Sequence, residues 1–209
     1  MPRRYDTEED KRERILRAAW QRIRQYGYAK TTVAEIAADA GIAKGTAYLY
    51  FRSKSDIMLA LVEETNRRVL EELVTIQRGD GPVLERLREV MVHRVRAIAE
   101  LVRRHPHGEE FVRSYKPEIV KRVESFVRTQ GMLAAALIHE GNQEGTLSVQ
   151  DPAATGLLLA ELFERFTPPY DHATTAEEVV DFAQRTFDLL LNGMLAPPDG
   201  SSARRARGE

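Results

Sequence analysis

The stretch Thr31–Ile57, TTVAEIAADAGIAKGTAYLYFRSKSDI, decides how this chain is read. It begins as a small amphipathic helix. Thr32 with Glu35 makes a capping box, and Ile36, Ala37 and Ala40 fall on one face before Gly41 supplies a turn. A second short helix then runs from about Lys44 to Tyr50, followed by another capping pair, Ser53 with Asp56, that opens a long helix. Two short helices joined by about four residues with one glycine, preceded by a third helix, form the layout of a helix-turn-helix domain. Alanines 37, 40 and 47 permit the close crossing this motif needs. Ile42 and Phe51 lie beyond the turn to meet them, with Trp20, Val33 and Leu49 expected to fill in behind.

The polar residues around the second short helix suit a phosphate backbone better than a core or a catalytic site. Lys44, Gly45 and Thr46 open it, where small side chains allow close approach. Tyr48 and Tyr50 present rigid phenols for phosphate oxygens or base edges. Lys54 adds a cation at the start of the next helix, and Thr31 and Thr32 offer hydroxyls opposite. The helix spans ~10 Å at 1.5 Å per residue, comparable with the ~12 Å major groove of duplex DNA.

This stretch closely resembles the DNA-binding signature of the TetR family of bacterial transcriptional regulators, over about residues 10–62. The lone glycine turn, the Gly-Thr pair, the Tyr-x-Tyr-Phe run and the Ser-Lys pair stand at family spacing. The resemblance implies DNA contacts from Thr32, Lys44, Gly45, Thr46, Tyr48, Tyr50 and Lys54, with Phe51 in the core. It further implies a second domain for dimerisation and for a small-molecule effector.

Composition agrees with that picture. The chain has 209 residues, 43% of them hydrophobic and 30% charged, as in ordinary globular proteins. It has no cysteine, which excludes disulfides, thiolate metal sites and a thiol nucleophile. No apolar run approaches the ~20 residues of a membrane span, and no hydrophobic leader follows the first methionine, so a cytoplasmic location without membrane contact is expected. The formal net charge is -1, yet residues 1–60 hold 12 Lys and Arg against 8 Asp and Glu, placing the basic surplus where DNA would lie.

Helical periodicity covers nearly everything else, so the expected fold class is all-α. A three-helix DNA-binding domain occupies residues 1–52, an effector-binding and dimerisation domain 53–195, and a disordered tail 196–209. Helices are expected from Thr7 to Gly27, Ser53 to Ile76, Pro82 to Arg104, about Glu109 to Tyr115, Pro117 to an end marked by Gly141 and Gly145, Asp151 to Phe166, and Thr175 to Leu195. The last two carry wide apolar faces, Leu158, Leu162 and Phe163, then Val179, Phe182, Phe187, Leu190 and Leu191. A two-fold four-helix interface between copies would bury them.

Phe111, Tyr115, Phe126, Met132, Leu133, Leu137 and Phe166 are candidates to line an effector cavity. With no buried charge evident, the effector is expected to be small and largely apolar. No cofactor or metal is expected. His105 and His107 flank Pro106 beside Glu109 and Glu110, but read as a solvated helix break rather than a metal site. The function this implies is a ligand-responsive dimeric regulator, a repressor by family habit, bound to a near-palindromic double-stranded operator. The alternatives are a helical-bundle enzyme, for which no nucleophile with a base and no Glu-x-x-His pair is present, and an interaction protein that does not bind DNA.

Overall fold

The computed structural model describes residues 8–108, 110, 117–167 and 175–195. Eight helices occur among them: α1 (Glu8–Tyr26), α2 (Val33–Asp39), α3 (Lys44–Tyr50), α4 (Lys54–Gln77), α5 (Val83–Arg104), α6 (Pro117–Glu144), α7 (Pro152–Glu164) and α8 (Ala176–Asn192). The fold is all-α, and the only extended pairing among the described residues is an isolated antiparallel bridge between Leu147 and Leu195. Of the expected helix over Glu109–Tyr115 only Glu110 is described, and it is helical; Phe111, Tyr115, the tail from 196 and the Thr7 cap lie outside the described residues. No described helix is long and apolar enough to cross a membrane.

The chain divides into two compact units. The first comprises the chain through Arg68 together with Glu100–Glu124, and the second comprises Val69–Ala99 with the chain from Ser125 onward. In the first, α2 packs on both α1 and α3. Its centre is made by Ile15, Ala19 and Ile23 of α1, Ile36 and Ala37 of α2, Ala47 of α3, and Ile57 and Met58 of α4, all essentially sealed from solvent. Gly27 ends α1 at φ +85°, a left-handed conformation that costs glycine little, and its amide donates to the Ile23 carbonyl at 2.9 Å.

In the second unit, Leu87, Val90 and Met91 of α5 are buried, as are Ala134, Leu137 and Ile138 of α6, Phe163 of α7 and Phe187 of α8. Phe163 meets Phe187 edge-on at 6.2 Å and Phe166 at 5.3 Å, and Phe166 in turn meets Phe182 at 5.6 Å. Such offset geometry is what aromatic quadrupoles prefer. Arg86 closes the α4–α5 connection, donating to the Gln77 and Gly81 carbonyls at 2.8 Å each and pairing with Glu140 of α6. The α6–α7 loop is self-stapled, since Asn142 donates to the Val149 carbonyl at 2.7 Å and accepts from the Val149 amide at 3.0 Å.

At Gly131 and Gly156 the backbones of α6 and α7 come directly together. A Cβ on Gly156 would sit 2.5 Å from the Gly131 carbonyl oxygen and 2.7 Å from the Ala135 nitrogen, and a Cβ on Gly131 would sit 2.9 Å from the Leu157 Cα. Both glycines are therefore fixed by space rather than by backbone conformation. In the sequence Gly131 merely interrupts a helical pattern. Here the interruption is what lets α7 lie directly on α6.

Candidate nucleic-acid interface

Local chemistry fixes α2 at both ends. At its start, the Glu35 amide donates to the Thr32 hydroxyl at 3.3 Å. The Thr32 amide and hydroxyl donate back to the Glu35 carboxylate at 2.9 and 2.7 Å, completing the capping box. At its end, Gly41 takes φ +66°, its amide donating to the Ala38 carbonyl and that of Ile42 to the Ala37 carbonyl. That pair of bonds is the Schellman arrangement, which reverses the chain within two residues.

Two arginines of α1 hold the same helix from the side. Arg14 donates to the Ala40 carbonyl at 2.6 and 3.1 Å and to the Gly41 carbonyl at 3.3 Å. Arg22 spans Glu35 at 2.8 Å and Asp39 at 2.6 Å. These bonds set the angle at which the turn delivers α3.

The Thr32 hydroxyl, and after it the Arg22 guanidinium, hold the Glu35 carboxyl below its ordinary value. A carboxylate whose folded value is depressed stabilises fully above its unfolded value, about 4.3, and loses that contribution as pH falls through the folded one. Glu35→Gln is accordingly expected to make stability less dependent on pH below ~4.3, with a shallower acid limb than wild type. Thermal melts followed by circular dichroism from pH 3 to 7 check it, and an unchanged acid limb would count against the ion-paired cap.

α3 is attached by little. Ala47 is its one buried residue, and Phe51, just past its end, is 5% exposed with the Arg12 guanidinium 5.5 Å from its ring centre. Everything else on α3 is at least partly open to solvent. Nothing lies within 4 Å of where a Gly45 Cβ would be. Tyr48 is 43% exposed with the Lys44 ammonium 6.0 Å from its ring centre, while Thr46 and Tyr50 are half-buried.

Leu49 overturns an expectation. Rather than filling the core behind α2, it is 85% exposed, the most exposed large hydrophobic described. The reason is register: Ala47 and Phe51 face inward, and the residue midway between them, about 200° from each at ~100° per residue, must face out. That same spacing was available in the sequence as the signal.

Two expected contact residues have other work. Thr31 is 1% exposed and its hydroxyl donates to the Gly27 carbonyl at 2.7 Å, bracing the α1–α2 turn. The Lys54 ammonium donates to the Tyr28 carbonyl at 2.7 Å and lies 4.2 Å from the Tyr28 ring centre. Thr31 therefore shapes the surface from within, while Lys54, half-buried, braces the α1–α2 turn from the start of α4. Thr32, Lys44, Gly45, Thr46, Tyr48 and Tyr50 remain as groups offered along α2 and α3.

The histidine pair is also more engaged than a solvated break. His105 accepts from Arg24 at 3.2 Å and meets Trp20 edge-on at 6.1 Å. Desolvation first, then the nearby Arg24 charge, hold it below its ordinary value. His107 lies 3.3 Å from Glu110, whose carboxylate accepts from the Ala29 amide at 2.8 Å.

This geometry, two short helices in a braced turn with the second offered almost bare, coincides with a known family. The model of the bacterial regulatory proteins of the tetR family matches residues 15–61. The HTH-type transcriptional regulator AcrR of Shigella flexneri is 31% identical over 190 residues, covering 90% of this chain and 76% of that protein. This chain belongs to the TetR family. A crystal structure of a TetR/AcrR-family regulator from Thermobifida fusca superposes with a TM-score of 0.69 at 28% identity, over 88% of this chain and 98% of that one. The fatty acid metabolism regulator of Bacillus subtilis is 41% identical over 59 residues, so the chain matches only 30% of that relative's length.

As a TetR-family member the chain is a transcriptional regulator with a helix-turn-helix DNA-binding domain. Its second unit sorts the remaining candidates. Of the eight residues expected at a dimer interface, Phe163, Val179, Phe187 and Leu191 are buried within the chain itself and Leu190 is half-buried, whereas Leu158, Leu162 and Phe182 are exposed. Leu157 and Leu189 of the same two helices are exposed as well. Of the effector candidates, Phe126 and Leu137 are buried, Leu133 and Phe166 half-buried, and Met132 lies 62% exposed on the surface.

The second unit is not free of buried charge, contrary to expectation. A charge is buried in this unit: Arg94 is 6% exposed, paired with Glu164, with its guanidinium 4.5 Å from the Phe126 ring centre. It sits three residues after Met91 and seven after Leu87, on the apolar stripe of α5, where its place in the sequence already marked it as inward.

Proposed function

We propose that this regulator is a dimeric repressor that holds a near-palindromic operator through the outer face of α3 and is released by a small effector bound in the second unit. The observation that carries the reading is the bareness of α3: a helix docked through Ala47 and Phe51, exposing Lys44, Gly45, Tyr48 and Leu49, is a probe held out toward a partner. Thr32, Thr46 and Tyr50 flank that face for the sugar-phosphate chains. Leu49 adds an apolar tip that suits a thymine methyl.

A second copy of the chain is the partner that the outer faces of α7 and α8 fit. Leu158 is 65%, Phe182 58% and Leu189 73% exposed, on helices whose opposite faces already fill the unit's own core. Isologous pairing of such faces makes a four-helix seam, and two half-sites one DNA turn or a multiple apart double the sequence read. Phe182→Glu with Leu189→Glu is expected to shift the protein from dimer to monomer in analytical ultracentrifugation while leaving its helical circular dichroism unchanged. A persistent dimer would move the seam elsewhere.

Binding is tested by electrophoretic mobility shift on DNA upstream of genes neighbouring the coding sequence, at low salt. A complex that weakens steeply with added salt is expected. Absence of any complex there, and in DNA selected from a random pool, would sink the reading.

A further inference from the structure

The core of the second unit is apolar apart from one spot. Among the described residues, the buried polar side chains of that unit are Arg94 and Gln130. They converge. The Gln130 amide of α6 donates to the Val90 carbonyl at 2.7 Å, one turn before Arg94 on α5, and Phe126, one turn before Gln130, lies under the Arg94 guanidinium. Glu164, the last residue of α7, faces Arg94 as its carboxylate partner.

The two halves of this ion pair are not held equally. Arg94 lies on the inward stripe of α5 against an aromatic face, and a guanidinium there without an anion would be an uncompensated buried charge. Glu164 is the looser half. Its side chain is 29% exposed, and it stands at the C-terminal end of α7, where the helix dipole disfavours a carboxylate. If it left Arg94 it would keep a donor, since the Thr167 hydroxyl donates to its Oε1 at 3.0 Å. An apolar pair of similar volume would serve packing at least as well, so packing alone does not account for this charge.

We propose that Arg94 is the anion anchor of the effector site, and that a carboxylate carried on an apolar body takes the guanidinium in place of Glu164. The inference rests on the effector-responsive reading given above and deepens it. The guanidinium already holds a carboxylate, so an incoming one meets a fork of matching geometry. Phe126, Leu137, Phe163 and Phe166 supply apolar and aromatic surface in the same unit. The effector is then amphipathic, not wholly apolar.

The test is isothermal titration of the full chain with decanoate and decyltrimethylammonium below their micellar concentrations and decanol below its solubility limit. Decanoate is expected to bind at least ~10-fold more tightly than decanol, and the ammonium more weakly than either. Glu164→Gln removes the internal competitor, and is expected to tighten decanoate by ~10-fold while leaving decanol unchanged. Arg94→Gln combined with Glu164→Gln, a neutral pair that avoids a stranded charge, is expected to erase the preference for the acid.

Equal binding of acid and alcohol, no binding of the acid, a preference for the ammonium, or an unchanged decanoate affinity in Glu164→Gln each overturns the proposal. DNA binding measured on the same preparation separates the two claims. Intact DNA binding with no carboxylate effect removes the anchor and leaves the regulator standing, whereas lost DNA binding strikes the regulator reading itself.

Discussion

Tyr48→Ala is expected to weaken DNA binding by ~30- to 150-fold without changing the melting temperature by more than a degree or two. The phenol is 43% exposed, and α3 is seated by Ala47 and Phe51, so its removal leaves the docking of the helix untouched. A hydrogen bond or stacking contact is worth about 1 to 1.5 kcal/mol, and a symmetric dimer loses it twice, which gives about 2 to 3 kcal/mol. Lys44→Ala should differ in kind. It removes a cation from each half-site, so the slope of log K against log salt is expected to flatten by about 1.8, at ~0.9 per phosphate, while Tyr48→Ala leaves the slope in place. Fluorescence anisotropy over a salt series measures both. A Tyr48→Ala protein that unfolds, or one that binds as wild type does, would show that the phenol is not a contact.

Gly156→Val should be the most damaging single change to the second unit. Its Cβ would fall 2.5 Å from the Gly131 carbonyl oxygen and 2.7 Å from the Ala135 nitrogen, and both obstacles are helix backbone that no rotamer change can move. The helices must separate, opening the packing around Leu159 and Ala160 of α7 and Ala134 of α6, all buried. Overpacking of this kind costs about 3 kcal/mol or more, a large share of the stability of an ordinary domain. Urea denaturation followed by circular dichroism reads it directly. Gly145→Ala is the contrast. It has open space around its Cβ and pays only for a left-handed backbone at φ +74°, about 1 kcal/mol. Equal losses for the two would mean that α6 and α7 do not touch as described.

What the sequence disclosed depended on whether a feature was local. Capping boxes at Thr32 and Thr175, the N-cap at Asp151 and the turn at Gly41 are written in three or four consecutive residues, and the structure uses each of them. At Leu49 hydrophobicity and register point in opposite directions, and register wins. On a seven-residue helix with two inward residues, position alone sends that leucine out. Thr31 and Lys54 resemble DNA ligands by type and neighbourhood, but a hydroxyl or ammonium shows which acceptor it serves only once the α1–α2 turn has been folded beside it.

The second unit was harder for the same reason. Apolar faces on α7 and α8 were plain, but their division into an inner set with Phe163 and Phe187 and an outer set with Leu158, Phe182 and Leu189 requires knowing which neighbour covers each side. Arg94 lay on the helical stripe yet was overlooked, since its partner Glu164 stands seventy residues away. Gly131 interrupts a helical pattern in the sequence, and only the fold shows that it faces Gly156 across the α6–α7 contact.

The central claim is that the outer face of α3, presented by two copies of the chain, enters the major groove of duplex DNA. Methylation interference tests it most directly, because methylation at guanine N7 blocks the major groove and at adenine N3 the minor groove. With a DNA fragment that binds the protein, interference is expected from guanine N7 in two patches related by dyad symmetry, spaced by one helical turn or a multiple of it, and none is expected where adenine N3 alone is modified. Interference confined to adenine N3, or a single patch with no symmetric mate, would contradict it.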